Sequence, residues 1–340
     1  MSITLWLTNK CNMNCKYCYV GDEKRDFSMP KSIIDRSIEF IFENFNKYKD
    51  NINDYLIVRF HGGEPLIEFN LIRNVIKKIN SKKKDNNFKF AITTNGTILD
   101  NDIILFLKNE IHDLTVSLDG NRRTQGIMRP FRDGSNSFEK VFKNAKILES
   151  KIGNIRIRMT YDSNTVYNLY DDIKFLIDEG FKYIVPVSNN YDVNWDVDDI
   201  ECLKITIIKL REYIKTKENQ DIHISLLEKP QYINKEKCSM GNKSINIYSN
   251  GDLYPCIASV GKEMFVIGNI FSGLDDYKRN KLIYESEYEN ECVCSDCSIY
   301  NYCDGPRCRI VNKLTTDDYF TPPAIHCAVE NLKYRLNKCI

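Results

Sequence analysis

The chain has 340 residues, with 48 basic against 47 acidic side chains, a net charge of +1 and 13 cysteines. That balance gives no electrostatic basis for binding nucleic acid or an acidic membrane surface. No apolar run approaches the ~20 residues of a membrane span and no basic stretch precedes an apolar one at the N-terminus, so the expectation is a cytoplasmic protein, off the membrane, whose reduced cysteines serve metal rather than disulfides.

In chain order, apolar strand-like runs over 3–7, 55–60, 88–93, 113–118, 155–161 and 183–187 alternate with amphipathic stretches over 31–46, 68–83, 102–109, 137–150, 168–179 and 198–217. That alternation predicts repeated βα units around a parallel sheet. Six units in about 220 residues are too few for a closed eight-fold barrel, so the expected fold is α/β, an open (β/α)6 partial barrel with its function at the C-terminal strand ends. The rhythm fades before residue 238. The expected division is a barrel over 1–220, a bridging segment over 221–237 and a small cysteine-rich domain over 238–340. Within that domain Asn250-Gly251-Asp252 predicts a hairpin turn, and Cys327 lies near the start of a C-terminal helix.

Directly after the first strand, Cys11, Cys15 and Cys18 are spaced C-x3-C-x2-C, and no further cysteine follows until Cys202. A [4Fe–4S] cluster normally takes four thiolates, so three predict a cluster with one iron open to a ligand. A closed zinc knuckle or three unrelated buried thiols are the alternatives. The spacing, with Tyr17 and Tyr19 around the last cysteine, resembles the signature of the radical S-adenosylmethionine (SAM) superfamily.

Four strand ends carry matching motifs. The second strand runs into His61-Gly62-Gly63-Glu64-Pro65, where two glycines permit close approach to a ligand and Glu64 offers an acceptor. The third ends in Thr93-Thr94-Asn95-Gly96-Thr97, and the fourth in Ser117-Leu118-Asp119-Gly120 with Arg129 twelve residues after the serine. Arg122, Arg123 and Arg132 compete for the role of Arg129; a guanidinium suits a carboxylate because it can donate two parallel hydrogen bonds. The resemblance implies that Tyr17, Gly62, Gly63, Glu64, Asn95, Ser117, Asp119 and Arg129 bind SAM.

The later cysteines, Cys238, Cys256, Cys294, Cys297, Cys303, Cys308 and Cys327, look like the SPASM extension of radical SAM enzymes that modify peptides and proteins. By position, the resemblance implies one auxiliary [4Fe–4S] cluster on Cys294, Cys297, Cys303 and Cys327. A second would sit on Cys238, Cys256 and Cys308, with its fourth position open or taken by Cys292. Cys202 and Cys339 are further unassigned candidates. One departure stands out: Cys303 and Cys308 are separated by four residues where the family pattern usually has three.

The resemblance therefore implies three [4Fe–4S] clusters and SAM, cleaved reductively to a 5′-deoxyadenosyl radical that takes hydrogen from a ribosomally made peptide to install a thioether or carbon-linked cross-link. Its implied partners are the peptide or protein substrate, a low-potential donor such as a ferredoxin or flavodoxin, and a separate leader-peptide-binding protein. Ile257 stands where the anaerobic sulfatase-maturating relative has an aspartate base, which counts against formylglycine formation. A tetrapyrrole- or quinone-cofactor-forming enzyme, and an iron–sulfur electron-transfer or scaffold protein, are the other readings. Asp192, Asp196 and Asp198 are candidate bases, with a solvated acidic loop as their plainer explanation.

Overall fold

The computed structural model describes residues 1–20, 26–48, 55–83, 87–217, 221–236, 238–239, 241–287 and 293–338. Strand and helix alternate as β1 (Ser2–Thr8), α1 (Lys31–Tyr48), β2 (Leu56–Gly62), α2 (Phe69–Lys82), β3 (Phe88–Thr94), α3 (Asn101–Glu110), β4 (Asp113–Ser117), α4 (Arg122–Met128), α5 (Phe138–Ile152), β5 (Arg156–Tyr161), α6 (Leu169–Asp178), β6 (Tyr183–Ser188) and α7 (Val197–Lys215). Short strands follow, β7 (His223–Ile224), β8 (Ser244–Ile247), β9 (Leu253–Tyr254), β10 (Gly268–Asn269) and β11 (Gly273–Leu274), then α8 (Asp276–Glu287), α9 (Arg309–Thr316) and α10 (Ala324–Lys338). The predicted βα rhythm is present, with the short helix α4 as an addition. Among the described residues no helix is long and apolar enough to cross a membrane.

The chain forms two compact units, one of residues 1–12, 19–115 and 239–288, the other of 13–18, 116–238 and 289–340. In the first, β1 pairs in parallel with β2, and β2 with β3. On the opposite edge of β1 lies β8, also parallel, with Ile3 opposite Ile245 and Leu5 opposite Ile247. The strand that opens the cysteine-dense segment is thus part of this sheet. β8 then turns back on β9 in the predicted hairpin, Ile247 facing Leu253, with Gly251 at φ 93° in the turn. Six of the seven residues of β1 are buried, which is what a strand covered on both faces requires. Ile3, Leu5, Leu7, Val58 and Phe60 are at 0% exposure and Phe60 stacks on Phe90; each such side chain contributes roughly 1.5–3 kcal/mol.

In the second unit β5 pairs in parallel with β6 and β6 with β7, while Leu118 N, just beyond β4, donates to Arg158 O of β5. Ile173, Leu176 and Ile177 of α6 and Leu203, Ile207 and Leu210 of α7 supply buried helix faces. Asp196 caps α7 by accepting from Asp199 N, and Asp199 returns the bond to Asp196 N, a capping box.

Candidate functional site

In the first unit the loop leaving β1 is held against the end of β2. Gly63 N donates to Thr8 O and Glu64 N to Lys10 O, each at 2.8 Å. A Cβ on Gly62, whose φ is +141°, would lie 2.2 Å from Thr8 O, and one on Gly63 2.3 Å from Lys10 O. The close approach expected for a ligand is therefore used first by the chain itself, to seat the segment leading into Cys11.

Glu64 lies in the same segment. It is 0% exposed, and its carboxylate accepts from Leu66 N at 3.0 Å, Thr94 Oγ1 at 2.8 Å and Asn95 N at 2.6 Å. Burial pushes its pKa up to about 7, against the opposing pull of those three donors. The carboxylate joins the ends of β2 and β3.

Asn95 extends this network. Its Nδ2 donates to Asn12 Oδ1 at 2.8 Å and lies 3.9 Å from Cys11 Sγ, while its Oδ1 accepts from Thr97 N and Thr97 Oγ1. Asn12 closes the ring by donating to Thr97 Oγ1 at 2.8 Å. Asn12 and Thr97 lie inside the cysteine and strand-end motifs but carry no role assigned from sequence; an amide between two cysteines, near a strand-end turn rich in threonine and asparagine, is the available signal.

In the second unit, residues 13–18 lie along the segment that carries Arg129: Asn14 N donates to Pro130 O at 2.9 Å and Lys16 N to Met128 O at 3.0 Å. Cys18 N donates to Cys15 O at 3.2 Å, forming the turn that presents Tyr17. The Tyr17 hydroxyl donates to Asp119 Oδ2, and Arg129 Nε lies 2.9 Å from the same oxygen. The guanidinium also stands 5.0 Å from the Tyr17 ring centre. Thr160 N donates to Asp119 Oδ1, and Asp119 N to Gln125 Oε1, each at 2.9 Å. Burial raises the Tyr17 phenol well above its ordinary pKa. Burial opposes the charge of Arg129 too, but Asp119, Tyr17 and Cys15 together outweigh it and hold the guanidinium protonated.

Tyr17, Asp119 and Arg129 thus meet each other, with Arg129 Nε beside the Asp119 carboxylate. Arg122, Arg123 and Arg132 are exposed, and Arg122 pairs with Glu139. Ser117 is 8% exposed at the end of β4. Beyond it Gly120, at φ +121°, leaves room for Asp172, whose Cβ lies 2.3 Å from where a glycine-replacing Cβ would stand. Asp172 accepts from Asn121 N and Thr124 Oγ1 and is pushed up by burial to about 6.

The candidate bases are structural. Burial would raise Asp192, but donation from Ser163 N and Asn194 N outweighs it and leaves the carboxyl below its usual range. Asp196 is the cap of α7, and Asp198 lies in that helix's first turn.

Among the later cysteines, Cys297 N donates to Cys294 O and Cys303 N to Ile299 O, both at 3.0 Å, while Gly305 N donates to Cys303 Sγ at 3.3 Å. Cys303 packs with Ile299, Tyr334 and Cys297. Burial raises the Cys327 thiol and the nearby Cys297 adds to the rise; burial pushes Cys303 to about 11, with Cys327 among the lesser contributors. Thiolates are soft donors, the chemistry that iron–sulfur clusters use. The extra residue before Cys308 is taken up in the 3-10 turn Gly305–Arg307, which ends at Cys308 as α9 begins. Cys238, Cys256 and Cys308 are half-buried. Cys202 lies on α7 with Sγ 3.7 Å from Val166 O, and Cys292 and Cys339 fall outside the described residues. Among the described residues no three His, Cys, Asp or Glu side chains are gathered at metal-ligand spacing.

The description "Radical SAM superfamily" matches residues 7–162, which contain Cys11, Cys15, Cys18 and every strand-end motif above. Residues 7–162, a little under half of the chain, are thus similar to the radical SAM superfamily. A SPASM iron–sulfur cluster-binding domain matches residues 238–298, and the fold is the α/β fold of radical SAM structures. An uncharacterized protein of Methanocaldococcus jannaschii is 30% identical over 185 residues, 54% of this chain and 60% of that protein. The cysteine-type anaerobic sulfatase-maturating enzyme of Clostridium novyi is 25% identical over 327 residues, 87% of this chain and 84% of the enzyme. The antilisterial bacteriocin subtilosin biosynthesis protein AlbA of Bacillus subtilis is 25% identical over 329 residues, 89% of this chain but 66% of AlbA. The solved structure of native anSMEcpe with bound AdoMet superposes with a TM-score of 0.78 at 18% identity, covering 99% of this chain and 97% of the other, a likeness of fold.

Proposed function

We propose that this radical SAM enzyme is a peptide maturase that cleaves SAM reductively and takes hydrogen from a ribosomally made peptide to form a thioether or carbon-linked cross-link. The observation that carries this is the pair of buried networks at the strand ends, one reaching Cys11 through Asn95 and the other bonded to Tyr17 between Cys15 and Cys18. A plain electron carrier has no need of such organised surroundings for an amino-acid ligand. When bound, the cluster on Cys11, Cys15 and Cys18 would supply the electron that breaks the SAM sulfonium bond to give a 5′-deoxyadenosyl radical. The chain's own part is placement. Gly62, Gly63 and Glu64 seat the segment leading into Cys11, Tyr17, Asp119 and Arg129 hold the segment from Cys15 to Cys18, and these six together with Asn95 and Ser117 are the residues assigned to SAM.

The auxiliary clusters are assigned to Cys294, Cys297, Cys303 and Cys327, and to Cys238, Cys256 and Cys308, giving three clusters in all. The functional division stands at 1–220 for the barrel and 238–340 for the auxiliary domain, joined by 221–237. The setting is cytoplasmic, with a ferredoxin or flavodoxin as donor and a separate leader-binding protein as partner. Sulfatase-type oxidation is the second reading, favoured by the extent of the match to the Clostridium novyi enzyme, while Ile257 after Cys256 supplies no base.

The test is anaerobic reconstitution of the wild type and a Cys11→Ala, Cys15→Ala, Cys18→Ala variant, with iron counted and 5′-deoxyadenosine assayed under a strong reductant. About twelve irons falling to about eight, with loss of 5′-deoxyadenosine, is expected for one SAM cluster and two auxiliary clusters. Zinc in place of the auxiliary iron, or a wild type that leaves SAM intact, overturns the corresponding half.

A further inference from the structure

Asn9 stands two residues before Cys11 and is 4% exposed. Both ends of its side chain are engaged: Oδ1 accepts from Trp6 Nε1 at 2.7 Å, and Nδ2 donates to the Tyr248 hydroxyl at 2.5 Å. Its backbone N donates to Phe27 O at 2.9 Å. Trp6, itself 2% exposed, meets Tyr19 edge-on at 6.3 Å, His61 at 5.1 Å and Tyr248 edge-on at 6.2 Å. One indole therefore touches the residue after Cys18, the residue before Gly62 and a residue of the auxiliary domain.

Tyr248 follows β8. Its N donates to Asp252 O and its O accepts from Gly251 N, so it opens the hairpin that leads through β9 to Cys256. Its ring also meets Tyr254 edge-on at 6.2 Å, two residues before Cys256. Packing alone would hold the ring in place. The hydroxyl adds a directed bond to a buried amide, and a buried polar group left without its partner is costly.

We infer that Tyr248 is a positioning residue for the SAM-cluster loop: its hydroxyl fixes Asn9, and so fixes the path by which the chain leaves β1 for Cys11. The inference rests on the assignment of a cluster to Cys11, Cys15 and Cys18. It makes the hairpin bearing Cys256 and the loop bearing Cys11 parts of one hydrogen-bonded arrangement. Outer-shell partners of this kind orient metal ligands, and their loss commonly weakens metal binding 10–100-fold.

The test compares Tyr248→Phe, Asn9→Ala, the double variant and Tyr254→Phe as full chains. In the metal-free protein, hydrogen exchange of the amides of residues 8–12 is expected to rise about tenfold in Tyr248→Phe and Asn9→Ala, with Tyr254→Phe near the wild type. The double variant is expected to match Asn9→Ala, because the bond is already gone. After reconstitution, Tyr248→Phe is expected to release the SAM-site iron to a chelator about tenfold faster and to blunt the change that SAM produces in the reduced cluster's electron paramagnetic resonance spectrum, with the auxiliary iron retained. Unchanged exchange in residues 8–12, or effects of the two substitutions that simply add, overturns the inference. Should the wild type take up no SAM-site iron, the cluster assignment fails, while the metal-free exchange result still decides whether Tyr248 fixes Asn9. Should Tyr248→Phe fail to fold, Asn9→Ala reads the same bond from its other side.

Discussion

Glu64 in the first unit and Asp119 in the second are both buried carboxylates at strand ends, but their charges are met in different ways. Glu64 is surrounded by neutral donors, two backbone N–H groups and a threonine hydroxyl, and is pushed up to about 7. Asp119 has the guanidinium of Arg129 at 2.9 Å together with Tyr17 and Thr160 N. Neutral donors offset part of the cost of burying a charge, whereas an opposite charge can balance it outright. Glu64 therefore titrates near neutrality, while the Asp119 network is the one sensitive to the loss of a single partner.

The largest effect is expected from Arg129→Met, which strands the Asp119 carboxylate in the interior. Removing one member of a buried pair costs about 3–5 kcal/mol, read as a lower urea midpoint; a loss under ~1 kcal/mol would mean that the pair does not hold the second unit together. Next comes Gly62→Ala, where the new Cβ meets backbone at 2.2 Å with φ at +141°. It should cost about 3 kcal/mol, against about 1 kcal/mol for Gly134→Ala, which has positive φ but nothing within 4 Å. Equal losses would assign the cost to backbone strain alone.

Glu64→Gln sharpens the contrast through pH. The folded pKa of about 7 lies above the unfolded value of 4.5, so the folded chain holds the proton more tightly. Wild-type stability from this group is fully present below about 4.5 and falls as pH rises towards 7 and beyond. The glutamine variant should lose about 1–2 kcal/mol at pH 5, less at pH 8, and show a flatter stability profile between them. A profile parallel to the wild type would place the titration elsewhere. The smallest effect is expected from Tyr17→Phe, which removes one of several bonds to Asp119 while keeping the ring beside Arg129. Its cost should be about 1 kcal/mol in the same unfolding measurement, and a loss rivalling that of Arg129→Met would make the phenol, rather than the ion pair, the main support of Asp119.

The βα rhythm was legible because apolar runs and amphipathic periods are local properties. The hairpin at Asn250-Gly251-Asp252 was legible because the turn chemistry lies in adjacent residues. The pairing of β8 with β1 was not, since Ile3 and Ile245 are neighbours only in the folded sheet. The helix α4 was missed because seven residues, with Gly126 among them, carry little periodic signal. At the site, the cysteine spacing and the strand-end motifs marked the segments that carry the two buried networks. They did not reveal that Gly62 and Gly63 make room for Thr8 and Lys10, or that Glu64 faces inward.

By itself, the sequence determined the radical SAM resemblance, the cysteine segments and the order of strands and helices, because each is written in spacing over a few residues or turns. Only the tertiary structure decided which polar groups partner which: Asn9 with Trp6 and Tyr248, Asn12 with Asn95 and Thr97, and Asp119 with Arg129 and Tyr17. A buried polar side chain must find a partner wherever folding brings one, and that choice depends on distances between strands far apart in the chain.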